Sequence, residues 1–455
     1  MKQLVVASTF FQCLTLVAAI DAGALPEADE RILVLADGSQ APELTVPLAE
    51  QDGFAVVAAR FDRVVDLAAL LYPRRPVQFA PRLDEHPVWE RLLRSHWLLG
   101  DEPVQVIMDF VQVNPAYSLA GIFAEAELWT HSDGLMTYSP TRRSLPLRIS
   151  QRLSGLVHLD LVPGLRPKML TEYGVEQRRV PLRSLWPVLD EVLQSSPPGA
   201  ATDADGRPTA LVLGQYLSSL GVVSAEEEIA LNARLVGEAA RRGAEVCVFK
   251  PHPAAPPART RTLQAAARAA GVELVVDTSH EIAELTMRRR KPHWVISCFS
   301  TGLASARYLL GIDAVAVGTA EMLVRLNPYE NSNRVPLVLA DVLFTDRAVG
   351  GIGFAAPDET DGTDLRLDLQ RLVDAVAYCM QPQLLADSVD AVHDYLVVVE
   401  DEPGLLATLF RRRRLTALGL PGGLPTAAPL TRLRRRLRLD RLRLDRLGLS
   451  GAPSR

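Results

Sequence analysis

Ala210-Leu211-Val212-Leu213-Gly214, Glu245-Val246-Cys247-Val248-Phe249-Lys250, Glu273-Leu274-Val275-Val276 and Trp294-Val295-Ile296-Ser297 are short apolar, β-branched runs that read as strands. Helical patterns separate them over Ala225–Arg241, Thr260–Ala270 and Ile282–Arg290, and a further pair follows, a helix over Gly302–Leu309 and a strand over Ala314–Val317. Strictly alternating strand and helix signals predict a parallel, doubly wound sheet covered by helices.

The same rhythm runs through the first half. Ile32–Leu35, Phe54–Ala58, Val104–Phe110 and Leu128–Thr130 read as strands, Val64–Leu71 and Pro115–Ala126 as helices, and Gly155–Leu161 as one more strand ending at the turn Pro163-Gly164. The apolar opening Met1 to Ile20 admits two readings, an export leader or a buried strand Gln3–Ala7 followed by a helix carrying Phe11, Leu14, Val17 and Ala18; Gln12 interrupts the run and favours the second. Between Ser195 and Pro208 the chain turns to Ser, Pro, Gly, Ala and Asp without any apolar period, which marks a linker. The expected organisation is therefore an N-terminal Rossmann-like domain over 1–194, a linker over 195–208, a second Rossmann-like domain over 209–410 and an Arg/Leu-rich extension over 411–455. Two doubly wound domains facing a cleft make an α/β fold of the GT-B type.

Composition narrows the class. The chain of 455 residues carries a formal charge of −5 with 48% apolar and 23% charged residues, values of a soluble globular protein. Cys13, Cys247, Cys298 and Cys379 are far apart and match no metal-ligand spacing, which argues against a zinc site or a disulfide scaffold and fits a reducing cytoplasm. No uninterrupted run is long enough for a spanning helix. From Arg411 onward there are 13 Arg against 2 Asp. This extension reads either as a solvated segment or as one that meets an anionic membrane surface, and it lacks the aromatic residues that stacking on nucleic-acid bases would need.

Sheets of this kind bind ligands beyond the carboxyl ends of their strands, so residues just after strands are the candidates. Gly214-Gln215 follows the first strand of the second domain, where a glycine lets a ligand approach the backbone. Lys250-Pro251-His252-Pro253 ends the next strand; its prolines hold His252 extended, and an imidazole there suits proton donation to a leaving phosphate. Ser300 and Thr301 precede a helix, whose free N–H groups with two hydroxyls would cradle a phosphate, although plain capping explains one hydroxyl. Glu284, in the first turn of another helix, offers a carboxylate to ribose hydroxyls, or else is only an acidic first turn. In the first domain Asp133-Gly134 follows a strand, as a base for an acceptor hydroxyl or as a commonplace turn.

In their order these elements resemble the bacterial sialyltransferase and polysialyltransferase families: Asp133-Gly134 with Tyr138 and Pro140, His252-Pro253, Ser300-Thr301, and the segment Asn327-Pro328-Tyr329 to Pro336. The resemblance runs from about Leu4 to Phe344. It implies inverting, metal-independent transfer of sialic acid from CMP-sialic acid, with no other cofactor, onto a glycan or glycolipid acceptor in the making of a surface or capsule polysaccharide, at the inner face of the membrane. His252 would assist departure of the phosphate, Asp133 would activate the acceptor, Gly214, Gln215, Lys250, Pro253, Ser300 and Thr301 would hold the donor, and Glu284 its ribose. The family pattern has two acidic residues before the glycine, and here the first is Ser132; Asp133 or His131 then takes the base role, or the chain is an altered catalyst. The alternatives are a transferase using a UDP- or CDP-linked donor, for which Lys250 would meet a second phosphate, and a catalytically silent nucleotide- or glycan-binding relative.

Overall fold

A computed structural model describes residues 1–39, 45–196, 206–252, 260–346, 354–360 and 363–425. Among the described residues twelve strands form two wholly parallel sheets. The first contains β1 (Lys2–Ala7), β2 (Glu30–Leu35), β3 (Arg63–Asp66), β4 (Val104–Met108), β5 (Glu127–Ser132), β6 (Leu153–Leu159) and β7 (Glu176–Val180), in the order β3-β2-β1-β4-β5-β6-β7. The second contains β8 (Thr209–Leu213), β9 (Val246–Lys250), β10 (Glu273–Val276), β11 (Trp294–Ser297) and β12 (Asp313–Ala316), in the order β10-β9-β8-β11-β12. The central strands β1, β4, β8 and β9 are buried almost without interruption, as expected of strands covered on both faces. In each sheet the strand order reverses between neighbours, at β1/β4 and at β8/β11, so each has one switch point beyond its strand ends.

The expected α/β architecture is present, and the second sheet follows its expected strands almost residue for residue. The first half differs in three places. Phe54–Ala58, expected as a strand, is a helix; it starts from Gly53 at φ +81° and packs so closely on the helix Leu185–Ser195 that a Cβ on Gly53 would lie 2.5 Å from Val192 Cγ1. Val64–Leu71, expected as one helix, splits at Asp66: Arg63–Asp66 pairs with β2, and the Asp66 carboxylate then accepts from the Ala69 N–H to cap the helix Leu67–Leu71. The edge strand β7 was not expected, because Glu176-Gln177-Arg178-Arg179 carries no apolar signal; an edge strand tolerates charge along its open side.

Most of the linker expected over 195–208 and the extension from 426 onward lie outside the described residues. The boundary expected at Arg411, in contrast, falls inside folded structure. Arg411 Nη2 donates to the carbonyls of Leu323, Val324 and Leu326 at 2.8, 2.6 and 2.9 Å, covering the end of the helix Thr319–Arg325. Arg414 pairs with Glu330 at 2.7 Å, and Leu415 is buried. These two arginines are committed to the fold and are not available to a membrane surface. No helix among the described residues is long and apolar enough to cross a membrane.

The chain after the second sheet returns to the first. The helix Leu369–Met380 presents Asp374 to Lys168 at 3.0 Å and Gln370 to the Arg166 N–H at 2.8 Å, while Gln381 donates to the Arg142 carbonyl. On another side Arg288 stacks over Trp186 at 4.4 Å and bonds Asp190 at 3.0 Å. One apolar cluster contains Val5 and Leu135 from the first domain together with Leu213, Leu303 and Val335 from the second.

Arg411→Ala would leave three helix-end carbonyls without their donor. The expected loss is about 1–3 kcal/mol of unfolding free energy, read as a lower urea midpoint with an unchanged slope.

Candidate active site

The second-domain wall is built at the β8/β11 switch point. Gly214 N–H donates to the Lys250 carbonyl at 2.9 Å, and a Cβ at Gly214 would come within 2.8 Å of the Phe249 ring, so only glycine lets the chain leave β8 along this path. Gln215 Oε1 accepts from the Phe299 N–H at 2.9 Å, and Ser297 Oγ donates to the Leu213 carbonyl at 2.9 Å. These bonds tie the two strand ends across the switch point. Gln215 thus serves as a brace for the turn that carries Ser300 and Thr301.

Ser300 Oγ accepts from the Gly302 N–H at 3.2 Å in the turn before the helix, whereas Thr301 at the cap position makes no side-chain capping bond. Thr301 turns to the other domain, where its Oγ1 accepts from the Leu135 N–H at 3.4 Å. The helical segment behind them starts on Gly302, whose missing side chain makes room for Leu213 Cδ1 at 2.6 Å from the ideal Cβ position. It changes to a π turn over Ser305–Leu309, an irregularity frequent near functional sites. From that turn the buried Ser305 donates to Glu284 Oε1 at 2.8 Å. Glu284 is therefore not a solvated first-turn acid: it is 5% exposed, and burial raises its carboxyl above the ordinary range against the Ser305 bond, with Asp133 pushing the same way and Lys250 opposing.

His252 stands at the end of β9, open to solvent, with the Tyr216 ring 6.5 Å away. The low-dielectric protein around it lowers its imidazole below the ordinary range, and the carboxylate of Glu228 acts in the opposite direction. Pro253 lies outside the described residues. Lys250 points elsewhere: its Nζ donates to Asp277 Oδ2 at 2.9 Å and reaches Ser279 Oγ at 3.3 Å. Burial would raise Asp277, but Lys250 and the Ser279 bonds outweigh it and hold that carboxyl below the ordinary range. An ammonium already committed in this way has little left for a phosphate.

The first-domain wall is formed by the ends of β1, β4 and β5, which are consecutive in the sheet. Asp133 is half-buried, and its carboxyl is raised by burial; His131 and its own N–H lower it, and Asp109 raises it further. Ser132 Oγ is paired with Thr137 Oγ1 at 2.6 Å, so its side chain faces the loop beneath Asp133. His131 is 5% exposed, and its Nε2 meets the Val6 carbonyl at 2.7 Å, which makes Nε2 the protonated nitrogen and leaves Nδ1 without a partner. That imidazole lies beside a cavity of about 10 Å³, room for one water, lined also by Thr15, Ser132 and His158. Asp133 is the one of the two whose charge reaches Glu284 of the second domain.

Two members of this neighbourhood were not anticipated. Asp109 has a buried Oδ1 without a partner, and its Oδ2 is 3.5 Å from Gln12 Nε2. The expected strand ran to Phe110, which hid Asp109 inside it; β4 ends at Met108 and puts Asp109 at a strand end. Glu228, which reads as one of three acids in a helix first turn, is 1% exposed. Nothing in a one-dimensional pattern distinguishes it from Glu226 and Glu227.

Glycine after β8, histidine after β9, hydroxyls after β11 and an aspartate after β5 thus line the two facing strand ends. The family model for alpha-2,8-polysialyltransferases matches residues 3–319, a span that takes in both sheets. The chain belongs to this family. It is accordingly a glycosyltransferase, and the family supports sialyl transfer. The polysialyltransferase match stops before Asn327, so the segment Asn327–Pro336 lies beyond it. A search of curated proteins finds no match to this chain. Solved structures that it resembles include the GT-B domain of the sialyltransferase from Photobacterium damselae, at 10% identity over 75% of this chain and 96% of that one, with a TM-score of 0.40. MurG from Acinetobacter baumannii aligns at 12% identity over 86% and 99% of the two chains with a TM-score of 0.37. The 2,6-sialyltransferase of Photobacterium sp. JT-ISH-224, in a ternary complex with CMP and lactose, aligns at 10% identity over 75% and 76% with a TM-score of 0.40.

Lys250→Met in this polysialyltransferase relative would leave Asp277 buried without its cation, at an expected cost of about 3 kcal/mol in urea unfolding at neutral pH. Because the folded carboxyl is depressed, its contribution in the wild type is complete above the ordinary aspartate value of 3.8 and fades as pH falls through the lower folded value. Urea midpoints measured downward from about pH 5 should show this acid loss in the wild type and not in Lys250→Met.

Proposed function

We propose that this enzyme moves sialic acid or a related nonulosonate from a CMP-linked donor to a glycan or glycolipid acceptor of a surface polysaccharide, by a single inverting displacement without a metal ion. The observation that carries the reading is the meeting of the Asp133 loop with the Ser300-Thr301 turn across the two strand ends. A base on one wall then faces the Ser300 and Thr301 hydroxyls on the other; the N–H groups of Gly302, Leu303 and Ala304, expected to be free for a phosphate, are bonded within the turn itself. A CMP donor presents one phosphate, whose charge hydroxyls and one imidazole can balance; a diphosphate ordinarily asks for a cation.

In the reaction the acceptor hydroxyl gives its proton to Asp133 as its oxygen bonds to the anomeric carbon. The bond from that carbon to the phosphate oxygen breaks in the same step, and its electron pair leaves with CMP. His252 donates a proton or hydrogen bond to the departing phosphate. The carbon passes through an oxocarbenium-like state. Burial that raises the Asp133 carboxyl strengthens it as a base. Glu284 keeps one oxygen on Ser305 and offers the other to the ribose. Pro253 follows His252 in the sequence motif assigned to the donor, and the arginines of 426–455 fit an anionic membrane surface at the inner face.

Two competing readings remain testable. A UDP- or CDP-linked donor would want a free cation, and the commitment of Lys250 to Asp277 counts against it. A catalytically silent relative is favoured by Ser132 alone.

Purified protein given CMP-sialic acid should release CMP in a manner dependent on a sialylated oligosaccharide. His252→Ala should lower turnover by about 10²–10⁴ while the thermal midpoint stays near wild type, because an exposed loop histidine contributes little packing. Asp133→Ala should likewise abolish acceptor-dependent release but keep CMP binding. In a thermal shift assay CMP should stabilise the protein and UDP should not; protection by UDP alone would overturn the donor assignment.

A further inference from the structure

The helix Ala225–Arg241 turns one face to the core, through Glu228, Leu231, Asn232, Leu235, Val236 and Ala239. Glu228 occupies a position of that face where spacing calls for an apolar residue. The other two acids of the first turn have ordinary explanations: Glu227 closes a capping box with Ser224, and Glu226 is exposed beside the positive end of the helix. Glu228 has neither. At 1% exposure its carboxylate has lost nearly all its water, which costs several kcal/mol unless donors replace it.

Three donors do so, all from the turn that leaves β8. The Leu217 N–H donates to Oε1 at 2.9 Å, and the Ser218 N–H and Oγ donate to Oε2 at 3.3 and 2.5 Å. The same turn carries Tyr216, whose ring lies beside His252. Strands β8 and β9 are neighbours in register, Leu213 opposite Lys250, so the turn after β8 runs under the end of β9 where His252 is placed. Glu228 thus sits behind the turn that carries Tyr216 and is bonded to it through the Leu217 and Ser218 donors.

We propose that Glu228 is a positioning residue for His252: its buried carboxylate holds the Tyr216–Ser218 turn in place against the imidazole. The inference deepens the transferase reading above and rests on it for the role of His252. The chemistry is that of a carboxylate standing behind a histidine: a negative charge in low dielectric favours the imidazolium. The protein against one side of the exposed ring lowers the imidazole below its ordinary range, and the charge of Glu228 opposes that shift. Among the described residues, Tyr216 from the turn has its ring 6.5 Å from the imidazole and Glu228 from the helix acts on it through its charge. Lys250, two residues earlier on its own strand, has its ammonium on Asp277.

Glu228→Gln keeps a carbonyl to accept from Leu217 and removes the charge. In the resting protein, with no donor present, the His252 imidazole followed by NMR should lose its proton at a lower pH in Glu228→Gln than in the wild type. Turnover near neutral pH should fall by about tenfold or more, with the alkaline limb of the pH profile moved to lower pH and the donor KM changed little. Should Glu228→Gln fail to fold, Glu228→Asp, with its charge drawn back by one methylene, should move the midpoint in the same direction by less. An unchanged His252 titration in the folded variant would sink the proposal, whatever the transferase assay gives. A shifted titration in a protein whose wild type releases no CMP would instead overturn the donor assignment and leave the Glu228–His252 pairing standing.

Discussion

A parallel sheet must send its connections over opposite faces from some central pair of strands, and beyond the ends of that pair the backbone opens. The structure meets this constraint twice. At β1/β4 the opening holds Gln12, Asp109 and, from the adjoining strand, Asp133; at β8/β11 it holds Gln215, Ser300 and Thr301. The second opening is stiffened by the bond from Phe299 to Gln215 and the bond from Ser297 to Leu213, so the hydroxyl turn is aimed by the sheet and not by its own short helix. Everything the site does depends on the two openings meeting, and the contact of Leu135 with Thr301 is where they meet.

That meeting places several acids in a poorly solvated space. Asp133 and Glu284 are both raised by burial and press on one another across the domain boundary. Asp109 Oδ1 and His131 Nδ1 are buried without partners, a state that folding alone would select against. Such costs concentrate where a ligand supplies the missing partner. The remainder of the interface is conventional: Arg288 on Trp186 and Asp190, and Lys168 on Asp374, hold the walls in place with partly exposed pairs.

Ser132 bonds Thr137 and leaves Asp133 as the carboxylate at the mouth of β5. The tertiary structure brings a second carboxylate into the neighbourhood from β4. Asp109 is remote from Asp133 in sequence and electrostatically coupled to it in space. The lysine that would have argued for a diphosphate donor is likewise reassigned by folding, since Asp277 claims it.

The strands of the second sheet, the alternation that makes it parallel and the strand-end positions of Gly214, His252 and Ser300-Thr301 were legible from the chain, because continuous apolar runs and local turn chemistry are properties of neighbours in sequence. Phe54–Ala58 and Arg63–Asp66 were not: a five-residue apolar run suits helix or strand equally, and packing of Gly53 on Val192 and pairing with β2 decided between them. Glu228 and Asp277 carried no readable signal, since a carboxylate's worth is set by which distant donors surround it. Arg411 looked like the start of a basic extension and is a cap on a helix more than 80 residues earlier. The sequence by itself determined the fold class, the family and the order of the candidate residues. Which charges are buried, which are paired and which face the cleft was decided only by the tertiary structure, because desolvation and Coulomb interaction act through space and not along the chain.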